Sequence, residues 1–234
     1  MSTVRPAPGG GKYVAITPVR AVGWFGRFGD RHQGILRTEL TDDQVSVLAG
    51  DGTIAVVRVP FAPLRTGAGV RIDWLPGDPP LRRPGLAVDD LVAHLLLPRR
   101  IGLLLVRLGG HSVGIAVAGR VLTSATDHKQ VHGRNKAGGW SQQRFARRRA
   151  NQAQASFADA ADTCARVLRP RAAELDALIC GGDRTAIDTV LADTRLTPLA
   201  AVRQPPFLAG PEPRLRVLQA TPEQFRAVTV TLDP

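Results

Sequence analysis

Two adjacent glutamines, Gln142 and Gln143, stand at the start of a predicted helix, just behind the pair Gly138-Gly139. The glycines allow the backbone to approach a ligand closely. Ser141 fits a helix N-cap, so the glutamine amides belong to the unpaired donors of the first turn, at the positive end of the helix dipole. Such donors can hold an oxyanion or orient a water molecule. Because glutamine has no useful pKa, it would position reactants rather than act as a general base.

Basic residues surround these glutamines, and residues 129–149 contain no acidic residue. The basic residues are Lys129, Arg134, Lys136, Arg144, Arg147, Arg148 and Arg149. Spacings of three and four place Arg144, Arg147 and Arg148 on one face of a helix, where they can follow a phosphate backbone. Trp140 can serve as a stacking platform for a base or as a hydrophobic plug. This stretch is therefore a candidate RNA-binding element.

The whole chain of 234 residues carries a net charge of +11, with an isoelectric point near 11.2. Such a charge favours a polyanionic partner, most simply nucleic acid. A GC-rich genome would also enrich arginine, alanine, glycine and proline, so composition alone leaves the nature of the partner open.

Several classes of protein are disfavoured by the sequence. Two cysteines, Cys164 and Cys180, are too few for a disulfide scaffold and lack metal-ligand spacing. The N-terminal residues lack the apolar segment of a signal peptide, and the apolar run near residue 103 is interrupted by Arg107, so we expect a cytoplasmic protein without membrane segments. His128 and His132 lack a third ligand nearby, and a metal-dependent nuclease would need clustered carboxylates. No metal site is therefore expected.

The elements that position the glutamines belong to the second of two predicted domains. Residues 1–12 are predicted to be a disordered tail, 13–65 a small α+β domain, 66–86 a connector and 87–234 the larger domain. In the small domain, an amphipathic helix after Pro18 carries Trp24, Phe25 and Phe28 as core anchors. Three alternating runs follow it as strands.

The larger domain is predicted to have the strand and helix order β-β-β-α-β-α-β, that of a ribonuclease-H-like domain with a mixed sheet. The fold class is α/β, or α+β overall. After a short helix at 89–97, the predicted elements are strands 101–108, 111–119 and 120–126, a helix of about 141–169, strand 175–180, helix 184–193, strand 198–202, a helical turn near 213–219 and strand 227–232. A stripe of alanines along the long helix, from Ala146 to Ala161, is expected to pack on the sheet. Gly181-Gly182-Asp183 is interpreted as a helix cap.

The central stretch resembles a known family. Gly138-Gly139, then Ser141, then the run Arg144-Phe145-Ala146-Arg147, is similar to the peptidyl-hydrolase loop and helix of eukaryotic and archaeal class I release factors, in which Gly-Gly-Gln precedes Ser-x-x-Arg-Phe-x-Arg. Here Trp140 stands in the place of that glutamine, and Gln142 lies two positions later. This form looks more like the release-factor-like peptidyl-tRNA hydrolases of ribosome-associated quality control, and the layout from about residue 18 resembles their compact actinobacterial branch.

The resemblance implies a release-factor-like catalytic domain that hydrolyses the ester between a nascent peptide and tRNA on the large ribosomal subunit. It implies a catalytic role for Gln142 or Gln143, with Gln142 preferred, beside Gly138 and Gly139, and it implies no cofactor. The implied partners are peptidyl-tRNA and ribosomal RNA. Because residues 1–90 show no resemblance to a stop-codon-reading domain, codon-independent rescue of stalled ribosomes is expected. The alternative is a non-catalytic basic module that binds RNA or ribosomes, and the oligomeric state stays open.

Overall fold

Strands and helices alternate along the chain in the computed structural model, which describes residues 3–7, 10–65, 78–128, 141–210 and 212–233. The strands are β1 (Thr3–Pro6), β2 (Lys12–Ile16), β3 (Ile35–Leu40), β4 (Gln44–Ala49), β5 (Ile54–Arg58), β6 (Leu81–Pro84), β7 (Arg100–Arg107), β8 (Gly110–Val117), β9 (Arg120–His128), β10 (Ala177–Gly182), β11 (Arg203–Leu208) and β12 (Val228–Asp233). The α-helices are α1 (Ala21–Arg31), α2 (Asp89–Leu96), α3 (Ser141–Val167), α4 (Arg184–Leu191), α5 (Thr197–Ala201) and α6 (Leu215–Arg226).

The chain forms two units, of which unit 1 comprises residues 1–97 and 226–234. Its described strands make a seven-stranded antiparallel sheet in the order β1-β2-β12-β5-β4-β3-β6. The strand β12 lies between β2 and β5, with Val230 opposite both Val14 and Val57. A strand from the far end of the chain therefore completes the sheet of unit 1.

The core of unit 1 forms between α1, α2 and this sheet. Alternate residues of β4, namely Val45, Val47 and Ala49, are fully buried, as the alternating sequence predicts. Phe25 is fully buried and the Trp24 ring stacks on Phe28, with 5.7 Å between ring centroids. The predicted aromatic anchor is thus confirmed.

The bounds of the two units differ from the predicted domains in three places. Part of the predicted tail, Thr3–Pro6, pairs with β2, and part of the predicted connector, Leu81–Pro84, pairs with β3. Both are edge strands, and all four side chains of the second are exposed, so no apolar alternation marks it in the sequence. Helix α2 and strand β12 belong to unit 1 rather than to a domain spanning 87–234, because the partners of a strand are set by distant residues. Trp74, in the predicted connector, lies outside the described residues.

Unit 2, residues 98–225, is built on a mixed sheet of five described strands in the order β11-β10-β7-β8-β9. The first three strands of this unit form an antiparallel meander, and β10 and β11 run parallel to β7. The turn between β8 and β9 has positive φ at both Ala118 and Gly119, as a two-residue hairpin turn requires. The predicted ribonuclease-H-like sheet is confirmed.

Helices cover both faces of this sheet. Val113 and Ile115 of β8 share a buried cluster with Ala160 and Ala161 of α3, and α4 joins the same cluster. On the opposite face, a Cβ at Gly114 would lie 2.9 Å from Leu218 of α6, so glycine allows that helix to pack closely. Unit 2 therefore has three layers, with α3 and α4 on one face and α6 on the other.

The predicted strand at 198–202 is wrong, because Thr197–Ala201 forms the short helix α5. Pro198 lies in its first turn, where proline's fixed φ and missing N–H favour a helix start. The strand follows as Arg203–Leu208, which contains Pro205 and Pro206 and lies at the edge of the sheet, where proline is tolerated. The predicted helical turn near 213–219 is the longer helix Leu215–Arg226.

Candidate functional site

The candidate site is the connection between β9 and α3, which comprises residues 129–140. Five predicted site residues within it lie outside the described residues: Arg134, Lys136, Gly138, Gly139 and Trp140. The structure describes the two stems from which this connection leaves, β9 on one side and α3 on the other.

The residues of α3 that are described as buried lie in its second half. Among its described residues, Ser156 is the first that is buried, and those from Arg147 to Ala155 are exposed except for the half-buried Ala153. The Ser156 Oγ accepts a hydrogen bond of 3.3 Å from the backbone N–H of Gly109, which lies in the turn at one end of the sheet. The roughly 15 helical residues before Ser156 therefore extend about 22 Å past this end.

The alanine stripe is only partly the packing surface that the sequence predicts. Ala161 and Cys164 are buried against the sheet, whereas Ala150 is exposed. The periodicity of the stripe shows which face of the helix is apolar, but it does not show how far along the helix the sheet reaches. The expectation that the stripe packs from its beginning is wrong for Ala150.

The predicted glutamines lie in the backbone of the first turn of α3, as expected, because the helix begins at Ser141. Their side chains lie outside the described part of the chain, as do those of Arg144, Arg148 and Arg149. Arg147 is described and is exposed. The structure thus brings Gln142 and Arg147 onto one projecting segment, about 7.5 Å apart along the helix axis.

This projecting segment of α3 carries positive charge without any acidic residue. Its first turn contains no aspartate or glutamate, and the first acidic residue along the helix is Asp159, beyond the point where the helix becomes buried. Acidic residues are normally favoured in the first turn because they offset the helix dipole. No acidic side chain within this segment therefore offsets the helix dipole.

The other stem, β9, is an edge strand whose outer residues are exposed. Near its end, the hydroxyls of Thr126 and Ser112 lie 2.9 Å apart in a hydrogen bond. Its last residue, His128, pairs in register with Gly110 of β8. The strand is therefore hydrogen-bonded to the sheet up to the residue where the undescribed connection starts.

Charged side chains from distant parts of the sequence meet near this end of the sheet. The Arg107 Nη2 donates a hydrogen bond of 2.6 Å to the Gly210 carbonyl, and Arg214 forms an ion pair of 2.9 Å with Glu212. The hydrogen bond from Arg214 lowers the pKa of the Glu212 carboxyl, and the charges of His128 and Arg107 lower it further. No local motif marks these residues, so the sequence analysis missed them.

A small cavity of about 50 Å³ lies at the same end of the sheet, beneath α6. Its lining residues are Leu105, Gly182, Leu208, Ala209, Gly210, Val217, Thr221 and Gln224. This volume suits one or two water molecules and is several-fold smaller than the roughly 300 Å³ at which small-molecule pockets begin. The cavity is thus too small to be the site of a nucleotide or peptide substrate.

The sequence features at Asp183 and at the histidines also belong to unit 2. The Asp183 carboxylate accepts a hydrogen bond of 2.9 Å from the Ala186 N–H, which confirms that Gly181-Gly182-Asp183 caps α4. Among the described residues, no three histidine, cysteine or acidic side chains cluster closely enough to hold a metal ion. His132 lies outside those residues.

None of the described helices combines the length and apolarity that crossing a lipid bilayer requires.

A mixed ribonuclease-H-like sheet, together with a glycine-rich connection leading into a projecting basic helix, defines a release-factor-like protein. The chain belongs to the Actinobacteria/chloroflexi VLRF1 release factor family, whose model matches residues 99–231. This match covers nearly all of unit 2 and confirms the family resemblance. No match was found among curated proteins.

A comparison with solved structures finds translation factors at low sequence identity and low TM-score. The chain is 13% identical to an archaeal translation termination factor, aRF1, with a TM-score of 0.36, 77% of this chain covered and 51% of that one. It is 8% identical to Dom34 of S. cerevisiae, a translation termination-like factor involved in RNA quality control, with a TM-score of 0.34. This match covers 96% of this chain and 69% of that one. The chain is 10% identical to Pelota of Archaeoglobus fulgidus, with a TM-score of 0.29. This match covers 96% of this chain and 66% of that one. The chain spans about half the length of aRF1.

Proposed function

We propose that this protein hydrolyses the ester that joins a nascent peptide to tRNA on the large subunit of stalled ribosomes, without reading a codon. The observation that carries the proposal is the first half of α3, which extends past the sheet with a Gly-Gly-x-Ser-Gln sequence at its tip and no acidic residue along its length. The family to which the chain belongs supports the same activity. A ribosome-bound substrate would place this activity in the cytoplasm.

The projecting helix suits a reaction that takes place within another molecule. About 22 Å of helix separates the sheet from the glutamines, so their tip could enter a narrow cavity while unit 2 stays outside it. Ribosomal RNA would line this cavity, which lets the arginines around Gln142 pair with phosphates. Shape and charge therefore both favour an RNA-lined site of action.

The proposed chemistry requires water and a positioning group. Water adds its oxygen to the acyl carbon, the ester bond to the ribose breaks, and the departing ribose oxygen takes a proton. The backbone N–H groups at the start of α3 would stabilise the negative charge that develops on the acyl oxygen. The Gln142 side chain would orient the water, and Gly138 and Gly139 would let the backbone approach the ester.

The RNA-binding roles follow from position along the same segment. The exposed Arg147 lies about one and a half turns behind Gln142 and would bind a phosphate of tRNA or ribosomal RNA. Arg144, Arg148 and Arg149 would act with it, and Arg134, Lys136 and Trp140 would contact RNA from the connection itself. No organic cofactor or metal ion enters this proposal.

A peptide-release assay tests the proposal. Purified protein is mixed with large subunits that carry peptidyl-tRNA, and free peptide is measured in a single turnover. We expect wild-type protein to release the peptide and Gln142→Ala to slow release at least 100-fold, which is the typical effect of losing one oxyanion or water-positioning group. Gln143→Ala establishes which of the two glutamines acts.

The exposed glutamine at the middle of the same helix provides a matched control. Gln152→Ala removes the same chemical group about 15 Å from Gln142 along the axis, so release should keep its wild-type rate. If neither Gln142→Ala nor Gln143→Ala slows release, the mechanism is wrong. Intact protein that releases no peptide from any large-subunit complex would refute the function itself.

The second candidate is a non-catalytic module that binds RNA or ribosomes. The exposure of Arg147 on the first half of α3, which contains no acidic residue, and the net charge of +11 favour it equally. It predicts salt-sensitive binding that Arg147→Ala weakens, with no peptide release under any condition. Measuring binding and release on the same ribosomal complex separates the two candidates.

A further inference from the structure

Four residues at the start of β8 touch both stems of the 129–140 connection. Gly109, Gly110, His111 and Ser112 form the turn after β7 and the first residues of β8. We call them the β8 bracket. Each of the four makes a contact with α3, which packs on a face of the sheet, or with the end of β9, which pairs with β8 in the sheet.

On the α3 side, the bracket holds the helix where it leaves the core. The Gly109 N–H donates to Ser156 Oγ at 3.3 Å, and the His111 Nε2 shares a hydrogen bond of 3.0 Å with Thr163 Oγ1. These two contacts lie about two helical turns apart, so together they define a direction for the helix rather than a single point.

On the β9 side, the bracket holds the strand at its end. The Ser112 hydroxyl bonds to that of Thr126 at 2.9 Å, and Gly110 lies opposite His128. A Cβ on Gly110 would be only 2.9 Å from the His128 Nδ1, so glycine at this position leaves room for the imidazole ring. The ring thus rests against the bracket at the last residue before the connection.

The side-chain contacts are polar although one residue in each of them is buried. His111 is 3% exposed, Ser112 is fully buried and Ser156 is 9% exposed. Apolar residues at these positions would bury as well and would need no partner, whereas a buried hydroxyl or imidazole must find one. Hydrogen bonds add direction, which apolar packing does not.

Small rotations at the bracket are amplified at the tip of α3. The helix extends about 22 Å beyond Ser156, so a rotation of about 10° there moves its tip by about 4 Å. Misplacement of a reacting group by about 1 Å can slow catalysis about 100-fold. The direction in which both stems leave the sheet therefore decides whether a group on the connection reaches its target.

We propose that the β8 bracket is a positioning device that fixes the direction of both stems and so presents the 129–140 connection for reaction. This inference rests on the proposed function, since it assigns the bracket a role in peptide release. Its residues touch neither substrate nor water in the reaction and act through α3 and β9.

Steady-state release kinetics test the role in the reaction. Ser112→Ala removes the bond to β9, and Ser156→Ala removes the bond to α3. We expect each to lower kcat at least 10-fold while KM for the ribosomal complex changes less than 2-fold, because the RNA-binding arginines remain. Ser112→Thr keeps the hydroxyl and should restore kcat. The control is Val47→Ala, a buried substitution in β4 of unit 1, which should lower Tm and belongs to a different hydrophobic cluster from α3.

A distance measurement tests the positioning without using activity. Nitroxide labels are placed on β9 and α3 by Leu122→Cys and Gln152→Cys, both of which are exposed positions, while the native cysteines are buried. Pulsed electron paramagnetic resonance should give a narrow distance distribution in the otherwise unchanged protein. Adding Ser112→Ala or Ser156→Ala should broaden it at least 2-fold.

The outcomes separate this inference from the proposed function. Unchanged distances together with unchanged kcat in both bracket variants overturn the bracket. An equal fall of kcat in Val47→Ala also overturns it, because general destabilisation then explains the loss. Broadened distances in a protein that releases no peptide overturn the proposed function and leave the positioning of the stems supported.

Discussion

Replacing Gln152 by proline tests whether the exposed half of α3 has to be a continuous helix. Gln152 is exposed, lies four residues before Ser156 and is not part of the proposed machinery. Proline in a helix interior removes one backbone hydrogen bond, clashes with the preceding turn and costs about 3 kcal/mol. It also kinks the axis by about 20° or more.

The geometry of α3 sets the size of the effect. The segment from Ser141 to Gln152 is about 16 Å long, so a kink of about 20° moves its tip by about 6 Å. The segment before the proline is also shorter than the roughly 12–15 residues that an isolated helix needs to be stable in water, so it will fray. Either effect exceeds the misplacement of about 1 Å that slows catalysis about 100-fold.

The same substitution should leave the global stability nearly unchanged. The described residues before Ser156 are exposed or half-buried, so the segment contributes little to the core. We expect single-turnover release to fall at least 100-fold while the Tm falls by no more than a few degrees. Gln152→Ala, which favours the helix, should match wild-type protein in both measurements.

Two results would refute this reasoning. Release at the wild-type rate from Gln152→Pro would show that the direction of the tip is unimportant. A Tm lower by 10 °C or more, in a protein of this size, would correspond to a loss of about 3 kcal/mol and would show that the segment before Ser156 is packed after all.

Three further predictions concern charge and burial. Arg147→Glu should weaken binding to ribosomal RNA and lower the slope of log Kd against log salt concentration by about one, since one phosphate contact is lost. Burial raises the pKa of the Cys164 and Cys180 thiols to about 12, so a thiol reagent at pH 8 should label them only when the protein unfolds. The hydrogen bonds from Arg195 lower the pKa of Asp193 from 3.8 to about 2. The stabilisation from this ion pair is therefore present above pH 4 and is lost as the pH falls towards 2, and Arg195→Ala should remove that part of the pH dependence of Tm.

Each of these predictions has a result that contradicts it. An unchanged salt slope for Arg147→Glu, beside a lowered slope for the distant Arg120→Glu, would place RNA elsewhere on the surface. Rapid labelling of Cys164 in native protein would mean that the helix–sheet layer opens easily. If the difference in Tm between wild-type protein and Arg195→Ala stays constant from pH 5 to pH 2, the ion pair of Arg195 and Asp193 does not stabilise the fold.

Local sequence patterns predict much of unit 2 because their physical causes are local. The meander of β7, β8 and β9 follows from alternating apolar runs broken by glycine turns, and the cap at Asp183 follows from a side chain that bonds three residues ahead. The length of α3 is likewise visible, because Pro170 ends its periodic stripe. These elements need no distant partner to be recognised.

The features that sequence reasoning misses depend on distant contacts. The segment 198–202 is short and apolar, a pattern shared by buried strands and buried helices, and Pro198 decides for the helix. The exposed strand Leu81–Pro84 is stabilised by its neighbour β3 rather than by any pattern of its own. The charged residues Arg107 and Glu212 lie near His128 but are about 20 and 80 positions away from it in the sequence. No local motif can connect residues so far apart.

The position of β12 has a consequence for how the protein is made. This strand fills the gap between β2 and β5, yet it is synthesised about 170 residues after β5, a sequence separation that slows folding. Unit 2 contains all its own strands and can fold while the gap is still open. Until β12 is synthesised, β2 and β5 each keep an edge without a hydrogen-bonded neighbour. A nascent chain that ends before Val228 therefore exposes two strand edges that can pair with another molecule.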